Sequence, residues 1–208
     1  MVRILLVDDH PVVRKGMKAI LEDELSGVTV VEAADGDSAL TALSDAIDVV
    51  VLDLSMPGRS GIDLLVEIKH RHPRVPVLIM SLHGEEQFAV RTLRAGASGY
   101  LTKAAAPQQL VTAVIKVAEG GRYVSAALAE RLAAEVAGGV AAAVHERLSD
   151  REFEVMRGIA SGQAVSEIAA TMHLSVKTVS TYRTRLLEKM GMTSNAELTR
   201  YALENGLV

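Results

Sequence analysis

The chain has 208 residues, of which 49% are hydrophobic and 23% are charged, and its formal net charge is −4. This composition excludes a disordered protein, and the lack of cysteine excludes a disulfide scaffold, a thiolate zinc site and a cysteine nucleophile. The length favours one or two domains, and since no uncharged apolar stretch reaches roughly 20 residues we expect a cytoplasmic protein without a membrane span.

Strand-like apolar runs alternate with amphipathic stretches through about residue 120. This alternation predicts βαβ units and an α/β fold with a parallel five-stranded sheet in the flavodoxin-like strand order. The predicted strands are residues 3–7, 29–33, 49–52, 75–80 and 99–102. The predicted helices are residues 12–24, 37–43, 61–71, 85–95 and 107–119.

The pattern changes after Gly120 and Gly121, where an Ala-rich stretch begins. That stretch predicts a helical linker with a flexible break at Gly138 and Gly139. We therefore predict three segments: an α/β domain over residues 1–121, a helical linker over 122–145 and a small all-α domain of four helices over 146–208.

Capping residues mark the starts of several predicted helices in residues 146–208. Ser149 with Glu152, and Ser194 with Glu197, match the capping box, in which side chain and backbone satisfy each other. A helix over 166–172, a turn over 173–175 and a longer helix over 176–189 predict a helix-turn-helix. Ser175 would cap the longer helix, and Gly191 would end it in the left-handed conformation.

Polar residues close four of the predicted strands. Asp8 and Asp9 follow the first strand, Asp53 the third, Ser81 the fourth and Lys103 the fifth. Because ligands of open parallel sheets bind beyond the carboxyl ends of the strands, these side chains are expected to converge. An aspartate can attack phosphorus, and a divalent cation offsets the repulsion between its carboxylate and phosphoryl oxygens. The pattern predicts a metal-assisted phosphoryl acceptor.

We assign the catalytic nucleophile to Asp53. Oxygen ligands for Mg²⁺ would come from the side chains of Asp8, Asp9 and Asp53 and from the backbone carbonyl of Ser55. Lys103 would supply a point charge and Ser81 a hydroxyl to the phosphoryl oxygens. In the ordinary alternative, Asp8 and Asp9 only cap the first helix and Lys103 is an exposed loop residue, but the constellation as a whole favours the pocket.

Two sets of motifs resemble those of a known family. Residues 1–120 resemble a response-regulator receiver domain, in Val7-Asp8-Asp9-His10-Pro11, Leu52-Asp53-Leu54-Ser55-Met56-Pro57-Gly58 with Gly61, and Gly99-Tyr100-Leu101-Thr102-Lys103. Residues 146–208 resemble the LuxR-type helix-turn-helix domain, in Leu148-Ser149-Asp150-Arg151-Glu152, Glu167-Ile168-Ala169 and Leu174-Ser175-Val176-Lys177-Thr178-Val179-Ser180-Thr181-Tyr182-Arg183. Together they are similar to the NarL/FixJ family of two-component response regulators.

The resemblance implies a transcription regulator rather than an enzyme, apart from its own phosphoryl transfer and autodephosphorylation. It implies that a histidine kinase phosphorylates Asp53 with Mg²⁺ and that this switches dimerisation and sequence-specific DNA binding. Ser81 and Tyr100 are implied switch residues, because the hydroxyl turns toward the phosphoryl group and the aromatic ring rotates inward. The implied partners are the cognate kinase, promoter double-stranded DNA, a second copy in a homodimer on DNA, and RNA polymerase.

Two positions depart from the commonest receiver pattern. Leu82 follows Ser81 where a small residue is usual, which is expected to crowd the approach of the phosphodonor. Ala104 follows Lys103 where many receivers have proline, so a cis peptide bond is not assumed there.

Charge in the last domain is concentrated in the predicted recognition helix. Residues 146–208 contain eight basic and eight acidic residues, whereas residues 174–191 carry a local net charge of about +3, which attracts phosphate. The family comparison directs Ser180, Thr181 and Thr184 toward bases. It directs Lys177, Thr178, Arg183 and Arg185 toward phosphates. We expect Val176, Val179, Leu186, Leu187 and Met190 to be packing residues, and the last helix to form the dimer.

Two alternatives stay open at this point. A metal-dependent phosphohydrolase also uses an aspartate nucleophile, but Leu54 and Ser55 supply no second acid two residues after Asp53 to protonate a leaving group. The other alternative is a DNA-binding protein that ignores phosphorylation and keeps the first domain only for dimerisation.

Overall fold

The computed structural model describes residues 2–56, 61–81, 85–136, 143–172 and 174–208. The chain divides into two compact units, residues 1–139 and 140–208. Predictions that fall on Gly138, Gly139, His173, Leu82 and the Pro57-Gly58 pair lie outside the described residues.

The first unit is a parallel five-stranded sheet with helices between the strands. The strands are β1 (Arg3–Val7), β2 (Thr29–Ala33), β3 (Val49–Asp53), β4 (Val77–Ser81) and β5 (Gly99–Thr102). The helices are α1 (Pro11–Glu24), α2 (Gly36–Ala42), α3 (Gly61–Arg71), α4 (Glu85–Arg94), α5 (Ala106–Ala118) and α6 (Ala126–Val136). The strand order β2-β1-β3-β4-β5, with every pair parallel, confirms the predicted flavodoxin-like sheet.

The sequence of the central strands explains their position. All residues of β3 and β4 are buried, as expected for parallel strands that are covered on both faces and therefore read as continuous apolar runs. On one face, Ile4 and Leu6 of β1 pack with Met17 and Leu21 of α1 and with Leu110 of α5. The sheet thereby packs against helices, and the buried strands β3 and β4 carry their polar residues, Asp53 and Ser81, at their carboxyl ends.

The two strands that carry predicted site residues differ slightly from their predicted bounds. Asp53 and Ser81 are the last residues of β3 and β4 instead of following them. β4 begins at Val77, two residues later than predicted, because the amide of Val75 is engaged in a turn to the His72 carbonyl and Pro76 has no amide proton. Backbone pairing within the sheet therefore fixes the positions of Asp53 and Ser81.

The first part of the predicted linker lies within the first unit. The amide of Tyr100 donates to the Tyr123 carbonyl at 2.8 Å, and the amide of Tyr123 donates to the Ser98 carbonyl at 3.1 Å, so this segment lies along the outer edge of β5. Helix α6 follows and contacts α4. The domain boundaries at residues 121 and 145 remain predictions.

The second unit contains a short 3₁₀ turn, Val144–Arg147, followed by four helices. These are α7 (Asp150–Ala160), α8 (Val165–Thr171), α9 (Val176–Met190) and α10 (Asn195–Glu204). Helix α9 contacts α7 and α8, and α10 contacts α7, around a core that contains Phe153, Met156, Val179, Leu186 and Leu198. The four-helix prediction and the helix-turn-helix of α8 and α9 are confirmed.

The predicted caps are present, with one difference in detail. Ser149 and Glu152 form both bonds of a capping box, and Gly191 ends α9 in the left-handed region at φ 66°. At α10, Ser194 accepts from the amide of Glu197, but the carboxylate of Glu197 accepts from Thr193 instead of closing the box. Across the described ranges, no helix is long and apolar enough to cross a membrane.

Candidate functional site

Three of the predicted site residues meet at the carboxyl ends of β1, β3 and β5. The ammonium nitrogen of Lys103 lies 2.8 Å from Asp53 Oδ2 and 2.7 Å from Asp8 Oδ2. The side chains of both aspartates are 0% exposed and that of Lys103 is 7% exposed. The ordinary alternative, in which Lys103 is an exposed loop residue, is therefore wrong.

Backbone hydrogen bonds hold these side chains in place. The amide of Ser55 donates to Asp53 Oδ1 at 3.0 Å, and the amide of His10 donates to Asp8 Oδ1 at 2.8 Å. The amide of Lys103 donates to the Ser81 carbonyl at 2.8 Å, which continues the ladder between β4 and β5 beyond the last strand residues. The pocket is thus fixed by the sheet itself and by the first loop residues after it.

Burial and neighbouring groups shift the pKa values of Asp53 and Lys103. Burial raises the pKa of Asp53, and the nearby charge of Asp8 adds to this, while Lys103 and the Ser55 amide oppose it. For Lys103, burial lowers the pKa, but its hydrogen bonds to Asp53 and Asp8 and their charges outweigh burial, so the pKa lies above its usual 10.5. Lys103 is consequently a charged ammonium at neutral pH.

The pocket has an excess of oxygen ligands. One ligand atom from each of Asp8, Asp9, His10 and Asp53 lies within 4.8 Å of the others. The carboxylates of Asp8 and Asp53 share the single buried ammonium of Lys103 and that of Asp9 lies near them, which leaves negative charge that a divalent cation would neutralise. Carboxylate oxygens together with a backbone carbonyl are the donors that Mg²⁺ prefers, so the residues fit that ion. The sequence prediction did not include His10, which also lies 2.8 Å from Asp9 Oδ1 through its Nδ1 atom.

The two predicted switch residues lie on the neighbouring strands β4 and β5. Ser81 is the last residue of β4, and Tyr100 is the second residue of β5. Ser81 and Tyr100 are both 0% exposed, and Tyr100 is among the largest fully buried side chains. The aromatic ring therefore occupies a buried position, and the role of Ser81 and Tyr100 as switch residues remains a prediction. Residues 82–84, which follow Ser81, are outside the described ranges.

A second candidate site is the outward surface of α9 in the second unit. The predicted base-facing residues Ser180, Thr181 and Thr184 are exposed. The predicted phosphate-facing residues are exposed or half-buried on the same helix, namely Lys177, Thr178, Arg183 and Arg185. The structure therefore brings all seven residues onto one element.

The inner face of α9 matches the prediction with one exception. Val179, Leu186, Leu187 and Met190 are buried as expected. Val176, which we expected to pack, is 52% exposed. It is the first residue of α9, and apolar periodicity alone could not reveal its exposure.

Two polar contacts that fix α9 were not predicted. Lys189 near its end donates to Glu152 Oε2 at 2.6 Å, and Arg183 donates through Nε to Asn195 Oδ1 at 2.7 Å. Burial raises the pKa of Glu152, but Lys189 and the Ser149 cap outweigh it and hold that pKa below its usual 4.5. The capping box gave a signal for Glu152, but no sequence spacing indicates which lysine reaches it.

Comparisons with known proteins cover both units. The family model described as the response regulator receiver domain matches residues 4–115, and the one described as bacterial regulatory proteins, luxR family, matches residues 146–202. Response regulator UvrY of Escherichia coli K12 is 38% identical over 210 residues, which covers 100% of this chain and 96% of UvrY. Transcriptional activator protein ExaE of Pseudomonas putida is 38% identical over 208 residues, covering 99% and 97%.

Solved structures of response regulators are similar to the whole chain. RcsB of Salmonella typhimurium aligns with a TM-score of 0.61 at 28% identity, covering 97% of this chain and 98% of RcsB. RcsB of Salmonella enterica serovar Typhimurium bound to promoter rprA in the presence of phosphomimetic BeF3⁻ aligns with a TM-score of 0.62 at 29% identity, again covering 97% and 98%.

Proposed function

The chain belongs to the NarL/FixJ family of two-component response regulators, and from that membership we propose that phosphorylation of Asp53 switches its binding to promoter DNA. It carries a receiver domain and a LuxR-type DNA-binding domain, and its relatives are transcription regulators rather than enzymes. The single observation that carries the proposal is the buried Lys103 ammonium between Asp53 and Asp8.

The groups of the pocket have the chemistry that phosphoryl transfer needs. The carboxylate of Asp53 would attack the phosphorus of a phosphohistidine in the kinase, and the P–N bond to the imidazole would break as the P–O bond forms. Phosphoryl transfer depends mainly on positioning and on charge stabilisation. Lys103 would place its ammonium against a phosphoryl oxygen, and Ser81 would donate its hydroxyl to another.

Mg²⁺ is the cofactor that receiver domains generally use, and the donor set of this chain fits it. Asp8, Asp9, Asp53 and the backbone carbonyl of Ser55 would hold the ion. When bound, it would neutralise the repulsion between the acceptor carboxylate and the incoming phosphoryl oxygens. The amide of Ser55 meanwhile keeps one oxygen of Asp53 in place.

The contact between β5 and the segment after α5 supports a route from the pocket toward the DNA-binding domain. The phosphoryl group would carry nearly two negative charges beside Lys103 and Ser81, in place of the single charge of the Asp53 carboxylate. Tyr100 lies on β5, three residues before Lys103. Its amide donates to the carbonyl of Tyr123 in the neighbouring chain segment. A change around Tyr100 would therefore reach the start of the linker and α6 directly.

The second unit supports DNA as the output partner. Known DNA-bound RcsB structures align with this chain, among them one described as two RcsB dimers bound to two parallel DNAs. We extend this to α9 as the recognition helix in the major groove, with Arg183, Arg185 and Lys177 on phosphates. A homodimer through α10 would place two recognition helices on successive half-sites, and contact with RNA polymerase would follow at the promoter.

Phosphoryl labelling tests the first half of the proposal. We expect the full chain incubated with acetyl phosphate and Mg²⁺ to gain the mass of one phosphoryl group, and peptide mapping after borohydride reduction to locate it at Asp53. The label should fail to form on Asp53→Asn or after removal of Mg²⁺ with a chelator.

Asp63 provides the matched control, because it lies in the first turn of α3 and is exposed. The variant Asp63→Asn should label as the parent does. Labelling that persists in Asp53→Asn, or rapid multiple turnover of a small phosphate ester by the parent, would contradict the proposal and revive the phosphohydrolase alternative.

A further inference from the structure

The residues at the outward side of α9 have an unusual chemical character for a DNA-reading surface. Ser180, Thr181 and Thr184 are exposed, Val176 is 52% exposed, and none of the four side chains carries a charge. Val176, Ser180 and Thr184 are spaced by four residues, so they follow one another along the same side of the helix. Thr181 lies beside this row.

The hydroxyl protons of this row are already used within the helix. Ser180 Oγ donates to the Val176 carbonyl at 2.8 Å, Thr181 Oγ1 to the Lys177 carbonyl at 3.0 Å and Thr184 Oγ1 to the Ser180 carbonyl at 3.2 Å. A hydroxyl has one proton to donate and two lone pairs to accept with. These side chains therefore offer acceptor oxygens to a ligand, and the valine and threonines also offer methyl groups.

The four base pairs differ in how well they match such a surface. In the major groove guanine presents two acceptors, which require donors on the protein. Adenine and cytosine each present an amino group as a donor, but only thymine presents a 5-methyl group, which makes apolar contacts with side chains such as the threonine methyl. An A·T pair thus offers both a donor and a methyl group to this row of acceptors and methyls.

We propose that Val176, Ser180, Thr181 and Thr184 form an A·T-reading row, in which Val176 contacts a thymine methyl group and the hydroxyl oxygens accept from adenine amino groups. The inference rests on the proposed DNA-binding function and deepens it by naming the bases that α9 selects. Val176 is thereby assigned as a specificity-determining residue, since the N-terminal part of a recognition helix approaches the base edges.

The test uses the full chain with Mg²⁺ and acetyl phosphate in two steps. Selection from a random duplex library first yields a preferred site, which should contain A·T pairs in each half-site at the positions that α9 covers. In that site, each thymine is then replaced by deoxyuridine, which removes only the methyl group, and each adenine by 2-aminopurine, which moves the amino group out of the major groove. We expect at least one deoxyuridine per half-site to weaken binding about four-fold, the factor for one buried methyl-sized group.

The valine variants link that effect to one residue. Val176→Ala should bind the thymine and deoxyuridine sites with nearly equal affinity, whereas Val176→Thr, which keeps a methyl group, should retain part of the discrimination. Val12→Ala is the matched control, because Val12 is 84% exposed on α1 of the first unit, and it should discriminate as the parent does.

The outcomes separate the inference from the proposed function. A preferred site with G·C pairs under α9, or full thymine discrimination in Val176→Ala, would overturn the A·T-reading row while leaving DNA binding intact. A chain that binds no duplex with or without the phosphodonor would overturn the proposed function, and the inference with it.

Discussion

Replacing Lys103 by methionine should destabilise the first unit in a way that Mg²⁺ reverses. The ammonium lies 2.8 Å from Asp53 Oδ2 and 2.7 Å from Asp8 Oδ2, and all three side chains are nearly or fully buried. Removing one partner of a buried ionic cluster costs about 3–5 kcal/mol, because the remaining charges are left unpaired. For a unit of this size that loss corresponds to a fall in Tm of roughly 10–20 °C.

A divalent cation would replace the missing positive charge. A ligand that binds only the folded state adds stability with its concentration, about 2.7 kcal/mol at one hundred times its Kd. Saturating Mg²⁺ should therefore recover a large part of the loss in Lys103→Met, and should stabilise this variant more than the parent. The assay is urea unfolding of the full chain at neutral pH, with and without Mg²⁺, followed by a probe in the first unit.

The stability lost in Lys103→Met should depend on pH in a predictable direction. Burial and the charge of Asp8 raise the pKa of Asp53, and Lys103 opposes them, so its removal should raise that pKa further. The folded state then binds protons at a higher pH than the unfolded chain, whose aspartate pKa is about 3.9. The deficit of Lys103→Met relative to the parent should consequently shrink as pH falls from neutral toward that value.

Lys69 offers a matched control. Its ammonium donates to the carbonyls of Pro73 and Val75 at 2.7 and 2.9 Å, so Lys69→Met also removes a partly buried lysine, but not one that faces carboxylates. The difference in free energy of unfolding between Lys69→Met and the parent should be the same with and without Mg²⁺. If Lys103→Met unfolds at the same urea concentration as the parent and gains no more from Mg²⁺, the account of the pocket as an excess of buried negative charge is refuted.

Three further changes test other parts of the account. Glu152→Gln should lower the free energy of unfolding of the second unit by about 1–3 kcal/mol at pH 7 in urea titrations, and since its folded pKa is lowered, the difference from the parent should vanish as pH falls through that folded pKa. Gly99→Ala would place a Cβ 2.7 Å from the Tyr123 carbonyl oxygen, and we expect a loss of about 1–3 kcal/mol in thermal unfolding; an unchanged Tm would contradict the packing of that segment on β5. Arg183→Ala should weaken binding to specific and random duplexes alike and reduce the salt dependence, whereas Thr184→Ala should change site preference; equal losses from both on both duplexes would contradict the sorting of α9 contacts.

The sequence was sufficient for the sheet and for the convergence of the pocket. Continuous apolar runs ending in Asp8, Asp53, Ser81 and Lys103 indicate both a parallel sheet and its ligand-binding edge. The pairing of Lys103 with two aspartates could not be read from spacing, because it joins residues at the ends of three different strands. The role of each residue in phosphoryl transfer remains a prediction.

The second unit was predictable at its caps and less so on its surfaces. Ser149 and Ser175 begin helices where predicted because a side-chain oxygen satisfies amides within three residues, a purely local effect. The exposure of Val176 and the contact of Arg183 with Asn195 depend on which helices lie next to α9. Such contacts join residues far apart in sequence, and local patterns do not contain them.

The affinity of the full chain for its selected duplex, measured at one fixed salt concentration with and without acetyl phosphate and Mg²⁺, tests the switch most directly. The account predicts tighter binding by the phosphorylated parent and no response to the phosphodonor in Asp53→Asn. Equal affinity of the parent under both conditions, at full occupancy of the label, would contradict control of DNA binding by Asp53 and favour a DNA-binding protein that ignores phosphorylation.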